Sequence, residues 1–374
     1  TILLATYPEL PSVKNIDTSN FSILVEAGCI LENIQKAASK VGLYFPLSLG
    51  AEGSCQIGGN LATNAGGVNV LRYGTARAQV LGLEAVLANG SVVSNLRTVK
   101  KDTAGYDLKQ LFIGSEGTLG IITAATLRLY PDPGILTTAF VSLDEADDAV
   151  KLLSNLRNTL GDRIEAFELI SRDTLNLVNK HISDIKIPFF EKSNWYVLMD
   201  ISLDDNSSCL EDTLMTEFEK NIISNAVVAK NKLESNRMWR MRHSIAEAER
   251  AEGKSLKHDI SIPSSRIQEF LNAGDELLDN IEPDANLIIF GHVGDENIHY
   301  NVTVPNGSEN SEKITTGIYD IVYKLGGSFS AEHGIGQIKK HYLAKYRSAE
   351  EVNLMKTLKL ALDPNNILNP GKVI

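Results

Sequence analysis

Two short segments in the C-terminal half combine histidines, a carboxylate and glycines. The first runs from Gly291 to His299 and carries His292 and His299 at its two ends, and the second reads Glu332-His333-Gly. On one continuous strand, His292 and His299 would point to opposite faces. The turn residues 294–297 between them instead predict a hairpin, in which both imidazoles can meet on one side.

Two histidines and one carboxylate form a recurring ligand set for a divalent metal that keeps an open coordination position. A metal bound by His292, His299 and Glu332 could hold the hydroxyl and carboxylate oxygens of a substrate and lower the pKa of the hydroxyl. His333 would then serve as a general base. An isolated histidine is more often structural, so the residue types alone leave a metal or acid–base site and a structural role open.

Two basic residues upstream could bind a carboxylate substrate. Arg242 lies in a helical stretch and could form a bidentate pair, and Lys257 lies just before a strand. From spacing alone, each is better interpreted as a solvated surface charge.

The elements that must position these groups alternate between strands and helices. Apolar periodicity predicts a helix over 233–250, a strand near 255–262 and two strands over 287–290 and 298–304. Residues 134–225 show the same alternation, which predicts an α+β layer. Near the end, Ser348 and Glu351 form a capping box for a helix that Asp363-Pro364 should stop.

The segment from 50 to 120 is rich in glycine, and β-rich runs at 80–87, 91–93, 111–113 and 121–129 predict strands and tight turns. The run Gly50–Gly67 could line a pyrophosphate or a flat ring with backbone amides, although glycines alone favour simple turns. A second run, Gly114–Gly120, has the look of a dinucleotide loop. It lacks the G-x-G-x-x-G pattern and β-branched residues follow it, so a Rossmann loop is excluded.

Composition sets the class of protein. A chain of 374 residues predicts two or more domains, and a net charge of -11 with scattered basic residues excludes a nucleic-acid binder. The three cysteines, Cys29, Cys55 and Cys209, lie far apart, which favours a reducing compartment. No apolar stretch is long enough for a transmembrane segment. The chain begins at Thr1 without a leader pattern, which predicts that the sequence starts inside a longer gene product.

Several long motifs occur in family order over essentially the whole chain. On them the chain resembles the FAD-linked dehydrogenases of D-2-hydroxy acids, whose flavin domain is of the vanillyl-alcohol-oxidase type. The motifs are Pro46-Leu-Ser-Leu-Gly50, Ile57-Gly-Gly-Asn-Leu-Ala-Thr-Asn-Ala-Gly-Gly67, Leu71-Arg-Tyr-Gly74, Val80-Leu-Gly-Leu-Glu84, Lys101-Asp-Thr-Ala-Gly-Tyr-Asp-Leu-Lys109, Leu111-Phe-Ile-Gly-Ser-Glu-Gly-Thr-Leu-Gly-Ile-Ile122, Gly291-His-Val-Gly-Asp-Glu-Asn-Ile-His299, Ser330-Ala-Glu-His-Gly-Ile-Gly336 and Asp363-Pro-Asn-Asn-Ile-Leu-Asn-Pro-Gly-Lys372.

The resemblance implies an α+β fold with three parts: an incomplete FAD-binding domain over 1–133, an antiparallel-sheet substrate (cap) domain with a metal site over 134–340, and a C-terminal helix and tail, 341–374, that return to the FAD domain. It implies that FAD contacts Pro46, Gly50, Gly58, Gly59, Asn60, Thr63, Asn64, Gly66, Gly67, Gly117, Ile122 and Asn369. It also implies that His292, His299 and Glu332 bind a divalent metal, commonly zinc, and that Arg242, Lys257 and Asn301 contact the substrate.

The implied reaction is oxidation of D-2-hydroxyglutarate or D-lactate to the 2-oxo acid. His333 would take the hydroxyl proton while the Cα hydride passes to flavin N5. The implied electron acceptor is an electron-transfer flavoprotein or a quinone, and a homodimer is expected. The ending 368–372 and the missing leader favour the bacterial cytoplasm, with the mitochondrial matrix as the eukaryotic equivalent.

The chain departs from the family pattern in two places. It begins after the upstream loop, resembling Gly-Gly-Asn-Thr-Gly, that holds the FAD pyrophosphate in relatives. Ala246 stands one helical turn beyond Arg242, where some relatives specific for D-2-hydroxyglutarate have Thr. Two alternatives therefore stay open at this point: a metal-dependent hydrolase using His292, His299 and Glu332, and an inactive, truncated remnant.

Overall fold

The computed structural model describes residues 12–188, 193–203, 208–304 and 308–374. Its contacts divide the chain into two compact units. The first comprises the described part of Thr1–Asp132 together with Glu332–Ile374, and the second is the described part of Pro133–Ala331. Residues 1–11 of the predicted FAD-binding domain lie outside the described residues. The assignment of the domains to flavin and substrate stays a prediction.

The described strands, in chain order, are β1 (Val13–Asp17), β2 (Ser22–Glu26), β3 (Leu43–Tyr44), β4 (Val80–Val86), β5 (Val92–Asn95), β6 (Ile121–Arg128), β7 (Tyr130–Pro131), β8 (Leu136–Leu143), β9 (Ile164–Ser171), β10 (Trp195–Ser202), β11 (Asn225–Val228), β12 (Ser255–Leu256), β13 (Asp259–Ser261), β14 (Asn286–Gly291) and β15 (Asn297–Thr303). The described α-helices are α1 (Leu31–Ser39), α2 (Ile57–Ala62), α3 (Val70–Tyr73), α4 (Lys109–Phe112), α5 (Ala146–Leu160), α6 (Arg172–His181), α7 (Ser208–Glu219), α8 (Lys232–His243), α9 (Ile245–Glu252), α10 (Ile267–Ile281), α11 (Ser311–Lys324), α12 (Lys340–Tyr346) and α13 (Ala349–Leu362). None of these helices is long and apolar enough to cross a bilayer.

An antiparallel five-stranded sheet, in the order β1-β2-β6-β4-β5, forms the centre of the first unit. Helix α1 buries Leu31, Ile34 and Ala38, spaced three and four residues apart, in the same core as the strand residues Ile23 and Val25. The helix ends just before Gly42, whose φ of 73° is the left-handed conformation that suits glycine. The helical spacing of these apolar residues and the position of Gly42 thus account for where α1 forms and ends.

An antiparallel eight-stranded sheet, in the order β11-β8-β10-β9-β14-β15-β12, forms the centre of the second unit, and β13 also pairs with β15. All eight residues of β9 are buried. Since neighbouring side chains on a strand point to opposite faces, both faces of this strand must be covered. The predicted α+β class is confirmed, and so is the β14–β15 hairpin, in which Phe290 pairs with His299.

Four local predictions were wrong. Residues 111–113 do not form a strand, because Lys109–Phe112 is a single helical turn whose Lys109 carbonyl accepts from the Ile113 N–H at 3.2 Å. The glycine run is also not only strand and turn, since α2 is helical. The predicted helix 233–250 is interrupted at Ser244, between α8 and α9, and the predicted strand 255–262 is interrupted at Lys257 and His258. Short apolar runs carry too little periodicity to separate these alternatives.

The predicted C-terminal helix is confirmed. Ser348 caps α13 through a reciprocal capping box with Glu351, and the helix ends at Leu362, directly before Asp363-Pro364. The apolar face of α13, formed by Val352, Met355, Leu358 and Leu362, is half-buried along its length.

Candidate functional site

The β14–β15 hairpin positions the two predicted metal-binding histidines. His292 follows the end of β14, His299 lies on β15, and their ring centroids are 5.9 Å apart. The turn depends on Gly291, because a Cβ there would lie only 2.4 Å from the Asn297 carbonyl oxygen. Glu296 closes the turn with a φ of 74°. Both imidazoles are largely buried, and the expected meeting of the two rings is what the hairpin produces.

A carboxylate that the sequence analysis missed lies beside His292. Glu168, in the middle of β9, is 0% exposed. One of its oxygens, Oε2, accepts from Arg242 Nε at 2.7 Å, and the other, Oε1, is bonded to His292 Nδ1. Burial by itself raises the pKa of Glu168, but the charges and hydrogen bonds of His292 and Arg242 outweigh it and lower the pKa to about 2. The available signal was a charged residue inside an otherwise apolar run, since such a residue is rarely buried without a partner.

Arg242 is fixed on two sides. Glu168 binds its Nε, and its guanidinium carbon lies 4.6 Å from the centroid of the Phe290 ring. The side chain is 10% exposed. In the described residues, no acceptor is bonded to the two terminal amino groups of Arg242. A buried guanidinium in this state presents a two-pronged donor that matches a carboxylate. The interpretation of Arg242 as a solvated surface charge was therefore wrong.

His299 also has a carboxylate behind it. Asp259 on β13 is 1% exposed, and its Oδ1 lies 3.8 Å from His299 Nδ1. Asn297 Nδ2 donates to the same oxygen at 2.9 Å. Each of the two histidines thus has its Nδ1 turned toward a buried carboxylate, an arrangement that recurs behind metal-binding histidines.

A second buried glutamate gathers the other two predicted substrate contacts. Glu249 on α9 accepts from Asn301 Nδ2 at 3.0 Å, and its other oxygen lies 3.4 Å from Lys257 Nζ. The Asn301 oxygen accepts from the backbone N–H of His258 at 3.2 Å. Asn301 is buried, whereas the Lys257 side chain is 53% exposed. Lys257 can therefore reach a solute, and the amide of Asn301 is largely committed to the protein.

In the first unit, the glycines of the predicted FAD region fall into two groups. The fold requires the first group: a Cβ would lie 2.6 Å from Ala27 Cβ at Gly58, 2.5 Å from Glu332 Oε1 at Gly66 and 2.1 Å from the Ser48 carbonyl at Gly67. The second group, Gly50, Gly59 and Gly117, has no atom within 4 Å of the corresponding Cβ position. The packing of the unit does not explain Gly50 and Gly59, which border open space, whereas Gly117 has a φ of 71°, a backbone conformation that itself favours glycine.

Polar atoms around α2 fit a ligand at that open space. Asn60 is 7% exposed, and its Oδ1 is buried without a hydrogen-bond partner in the described residues. A buried acceptor in this state costs free energy unless a donor is supplied. Thr63 is exposed at the end of the helix, and Asn64, with a φ of 51°, accepts from the Arg77 N–H at 3.0 Å. These observations agree with a bound group rich in hydrogen-bond donors.

Glu116, another residue that the sequence analysis missed, joins the glycine loop to the C-terminal segment of the same unit. Its carboxylate accepts from the N–H groups of Ile335 at 2.7 Å and Gly336 at 2.8 Å. Its carbonyl accepts from Asn369 Nδ2 at 2.6 Å. Asn369 is thus placed at the glycine loop, and its cofactor role stays a prediction.

The remaining predicted residues of the first unit are Glu332, His333, Pro46 and Ile122. The Glu332 carboxylate accepts from the Gly67 N–H at 2.8 Å, and His333 is exposed. Pro46 and Ile122 are buried, and the Pro46 carbonyl accepts from Asn69 Nδ2 at 2.8 Å. The functional roles of all these residues stay predictions.

Family models match almost the whole chain. Residues 134–373 match the model described as "FAD linked oxidases, C-terminal domain", and residues 1–95 match the model described as "FAD binding domain". The chain belongs to the FAD-linked oxidases.

Relatives among the FAD-linked oxidases include two with the same substrate in their names. The mitochondrial D-2-hydroxyglutarate dehydrogenase of Arabidopsis thaliana is 38% identical over 369 residues, which cover 97% of this chain and 65% of the relative. The D-2-hydroxyglutarate dehydrogenase of Xanthomonas citri pv. viticola is 37% identical over 362 residues, 94% of this chain and 75% of the relative. The chain thus spans only about two thirds of the plant relative.

The fold also matches a solved enzyme structure. The structure of p-cresol methylhydroxylase with substrate bound superposes with a TM-score of 0.72 at 17% identity, covering 97% of this chain and 78% of that one. At this identity the match supports the fold alone, and it agrees with the expected vanillyl-alcohol-oxidase-type architecture of this FAD-linked oxidase.

Proposed function

We propose that this chain is the part of a flavin-dependent dehydrogenase that binds FAD and oxidises a D-2-hydroxy acid, D-2-hydroxyglutarate or D-lactate, to the 2-oxo acid. The observation that carries the proposal is Arg242: a buried guanidinium, fixed by Glu168 and Phe290, whose terminal amino groups have no acceptor in the described residues. Such a group is built for an anion with two oxygens, and it lies in the part of the chain that matches the FAD-linked oxidases.

FAD would be held by the first unit. Its proposed contacts are the open glycines Gly50, Gly59 and Gly117, the amide of Asn60, and the Asn369 segment that Glu116 fixes. Bound FAD would accept the hydride from the Cα of the substrate. The glycines of the first group serve mainly to bring the backbone close, since a side chain at Gly58, Gly66 or Gly67 would collide with protein atoms.

We also propose that His292 and His299, with Glu332, bind a divalent cation, for which zinc suits the imidazole-rich donor set. Both imidazoles have a carboxylate behind Nδ1, and Glu332 directly follows Ala331, whose N–H donates to the Asp259 carbonyl at 3.2 Å. A bound divalent cation would hold the hydroxyl oxygen of the substrate and lower the pKa of the hydroxyl.

The formal charges in the second unit favour a cation too. Two buried carboxylates, Glu168 and Asp259, stand behind the two histidines, and Glu249 is bonded to Asn301 on the same strand as His299. The basic partners of Glu168 and Glu249 are Arg242 and Lys257. With neutral histidines, an anionic substrate would approach an excess of negative charge. A bound divalent cation would make the net charge facing the substrate positive.

In the proposed reaction, Arg242 binds and orients the substrate carboxylate through its terminal amino groups. Lys257 neutralises a second anionic group or screens Glu249, and Asn301 holds Glu249 in place. His333, which is exposed, takes the proton of the substrate hydroxyl. The electron acceptor that we propose is an electron-transfer flavoprotein or a quinone. We propose a homodimer as the oligomeric state and the bacterial cytoplasm or the mitochondrial matrix as the compartment.

The test is anaerobic flavin reduction in the protein expressed from its complete reading frame. D-2-hydroxyglutarate, D-lactate and glycolate are each mixed with the oxidised protein, and the loss of flavin absorbance is followed by stopped flow. We expect bleaching by at least one D-acid, no bleaching by the matching L-acid, and loss of the response on chelation of the metal. A flavin-loaded protein that no D-2-hydroxy acid reduces would contradict the proposal, as would ester hydrolysis supported by metal without flavin.

A further inference from the structure

We infer that Glu168 is a positioning residue that couples the metal site to the anion site, so that both sites depend on one buried carboxylate. This inference rests on the proposed function, because it assigns a role to Glu168 in binding the cation and the 2-hydroxy acid. The two partners come from different elements: Arg242 from the last turn of α8 and His292 from the end of β14. Glu168 itself lies on β9, which is hydrogen-bonded on both edges.

Glu168 divides its two oxygens between the two sites. Oε1 is bonded to His292 Nδ1, and Oε2 accepts from Arg242 Nε at 2.7 Å. A carboxylate paired with a guanidinium is an acceptor only, so Nδ1 of this imidazole carries a proton. In the neutral ring Nε2 is then the nitrogen whose lone pair can coordinate a cation. The same pairing uses only the Nε of Arg242, so it orients the terminal amino groups without occupying them.

In the described residues, no other contact performs this division. Phe290 touches both the guanidinium of Arg242 and the ring of His299, at 4.6 Å and 4.7 Å, but it offers no acceptor. Asp259 stands behind His299 and accepts no hydrogen bond from Arg242. In the described residues, Glu168 is therefore the one group that bonds to a predicted metal ligand and to the predicted substrate-binding arginine.

The substitution Glu168→Gln tests the coupling sharply. Glutamine keeps the size of the side chain but has one acceptor and one amino group. It can satisfy either His292 or Arg242, and it must present N–H groups to the other donor. If Glu168 were purely structural, Glu168→Gln would lower only the stability of the protein. If Glu168 couples the two sites, the variant loses affinity for the cation and for the anion together.

The experiment compares wild type, Glu168→Gln, Glu168→Asp, Arg242→Met and a control, Glu217→Gln. Glu217 is also a buried glutamate with two partners, Asn155 at 2.7 Å and Lys220 at 2.8 Å, but it lies on α7 among none of the proposed site residues. Binding of Co²⁺ is read from its visible absorption, and binding of 2-oxoglutarate from calorimetry. Thermal unfolding of each variant identifies any that fail to fold.

For Glu168→Gln we expect Co²⁺ affinity to fall 10- to 100-fold, the usual effect of removing a carboxylate behind a metal-binding histidine, and 2-oxoglutarate affinity to fall about tenfold. Arg242→Met should lower the affinity for 2-oxoglutarate without lowering the affinity for Co²⁺, and Glu217→Gln should change neither affinity. Glu168→Asp keeps both acceptor oxygens on a side chain shorter by about 1.5 Å, so it should give intermediate losses if Glu168→Gln does not fold. Folded Glu168 variants that bind both probes like wild type overturn the inference.

The two levels of the proposal fail separately. Wild-type protein that binds no Co²⁺ contradicts the proposed metal site and therefore the coupling as well. The 2-oxoglutarate measurement then still tests the other half of the inference, the orientation of Arg242 by Glu168, which predicts weaker anion binding in Glu168→Gln than in Glu217→Gln. Equal anion binding in these two variants overturns it.

Discussion

At the scale of single residues, Arg242 shows how a positive charge is prepared for a ligand. Arginine side chains are flexible, and ordering one on binding costs free energy. Here the Nε–H is already bonded to Glu168 and the planar face lies against Phe290, so this ordering occurs during folding. What the protein leaves to a ligand is the outer edge of the guanidinium, whose geometry selects a carboxylate.

The substitution Arg242→Lys should therefore impair substrate binding although the charge is kept. Lysine cannot donate to Glu168 and to a substrate carboxylate from two edges of one rigid plane. Losing charge-assisted hydrogen bonds of about 1.5–3 kcal/mol predicts a KM for the D-2-hydroxy acid higher by roughly 10- to 100-fold. Steady-state kinetics with an artificial electron acceptor give KM and kcat.

The matched control is Arg240→Lys on the same helix. Arg240 is paired with Asp184 at the surface, and its side chain is 60% exposed. This substitution should leave KM unchanged. Equal KM values for Arg242→Lys and wild type would rule out the proposed carboxylate contact.

The residues that sequence reasoning missed have one property in common. Glu168, Glu249 and Glu116 act on protein groups. Glu168 and Glu249 lie outside the ligand-binding motifs, and Glu116 lies inside the glycine loop but faces the C-terminal segment. Only Glu168 carried a signal, its place inside the apolar run of β9. The hairpin histidines were predictable because the turn between them fixes their geometry. Arg242 was not predictable from spacing, since the partner that buries it is 74 residues away in the sequence.

At the scale of elements, α2 shows why glycine-rich segments resist prediction. Glycine disfavours helices, yet Gly58 and Gly59 lie in the first turns of this one. The helix forms because the backbone of Gly58 packs on Ala27, to whose carbonyl its N–H donates at 2.7 Å. This tertiary contact cannot be read from the local sequence, whereas the longer amphipathic helices α1 and α5 follow from their periodicity.

The neighbouring glycines of α2 give a matched pair of variants. Gly58→Ala places a Cβ 2.6 Å from Ala27 Cβ and should destabilise the protein by about 1–3 kcal/mol through overpacking. The Cβ of Gly59→Ala meets no atom within 4 Å. The free energy of unfolding of the flavin-free protein should therefore stay unchanged or increase by up to about 1 kcal/mol. The same Gly59→Ala change should lower the affinity for FAD if the cofactor lies against this glycine.

Chemical denaturation without FAD and fluorescence titration with FAD separate the two effects. We expect Gly58→Ala to lower the free energy of unfolding more than Gly59→Ala does. We expect Gly59→Ala to lower the affinity for FAD without lowering the stability of the flavin-free protein. Wild-type FAD affinity in Gly59→Ala would remove α2 from the proposed cofactor site.

At the scale of the whole molecule, the first unit is discontinuous in the sequence. The chain leaves it at Asp132 and returns at Glu332, so about two hundred residues of the second unit are inserted between its two parts. The returning segment is bonded to the glycine loop in two places: Glu116 binds Ile335 and Gly336, and Lys359 Nζ donates to the Thr118 carbonyl at 3.0 Å. The cofactor region can therefore be complete only after the C-terminal segment has been synthesised and docked.

Asp363 is the buried centre of this returning segment. It is 2% exposed, it is paired with Lys359, and its carboxylate accepts from the backbone N–H groups of Ile367 at 3.0 Å and Leu368 at 2.8 Å. Burial raises the pKa of Asp363, but the hydrogen bonds from Lys359, Leu368 and Ile367 outweigh it and lower the pKa below its ordinary value. A carboxyl whose pKa is lower in the folded state stabilises the fold above its unfolded pKa of about 3.9, and this contribution is lost as the pH falls through the folded pKa.

The substitution Asp363→Asn should therefore destabilise the first unit at pH 7 by about 2 kcal/mol, because a charged acceptor for three donors is removed. The difference from wild type should shrink as the pH falls below about 4, where the unfolded wild-type chain begins to take up a proton at Asp363 and the folded protein does so only at lower pH. Urea unfolding at pH 7, 5 and 3.5 measures this, with Asp284→Asn at an exposed position of the second unit as the control. Asp363 binds the N–H of Leu368, and the next residue is Asn369, a proposed FAD contact. FAD affinity should therefore fall together with stability in Asp363→Asn and not in the control. A destabilisation that is equal at all three pH values would show that the charge of Asp363 does not hold the C-terminal segment on the glycine loop.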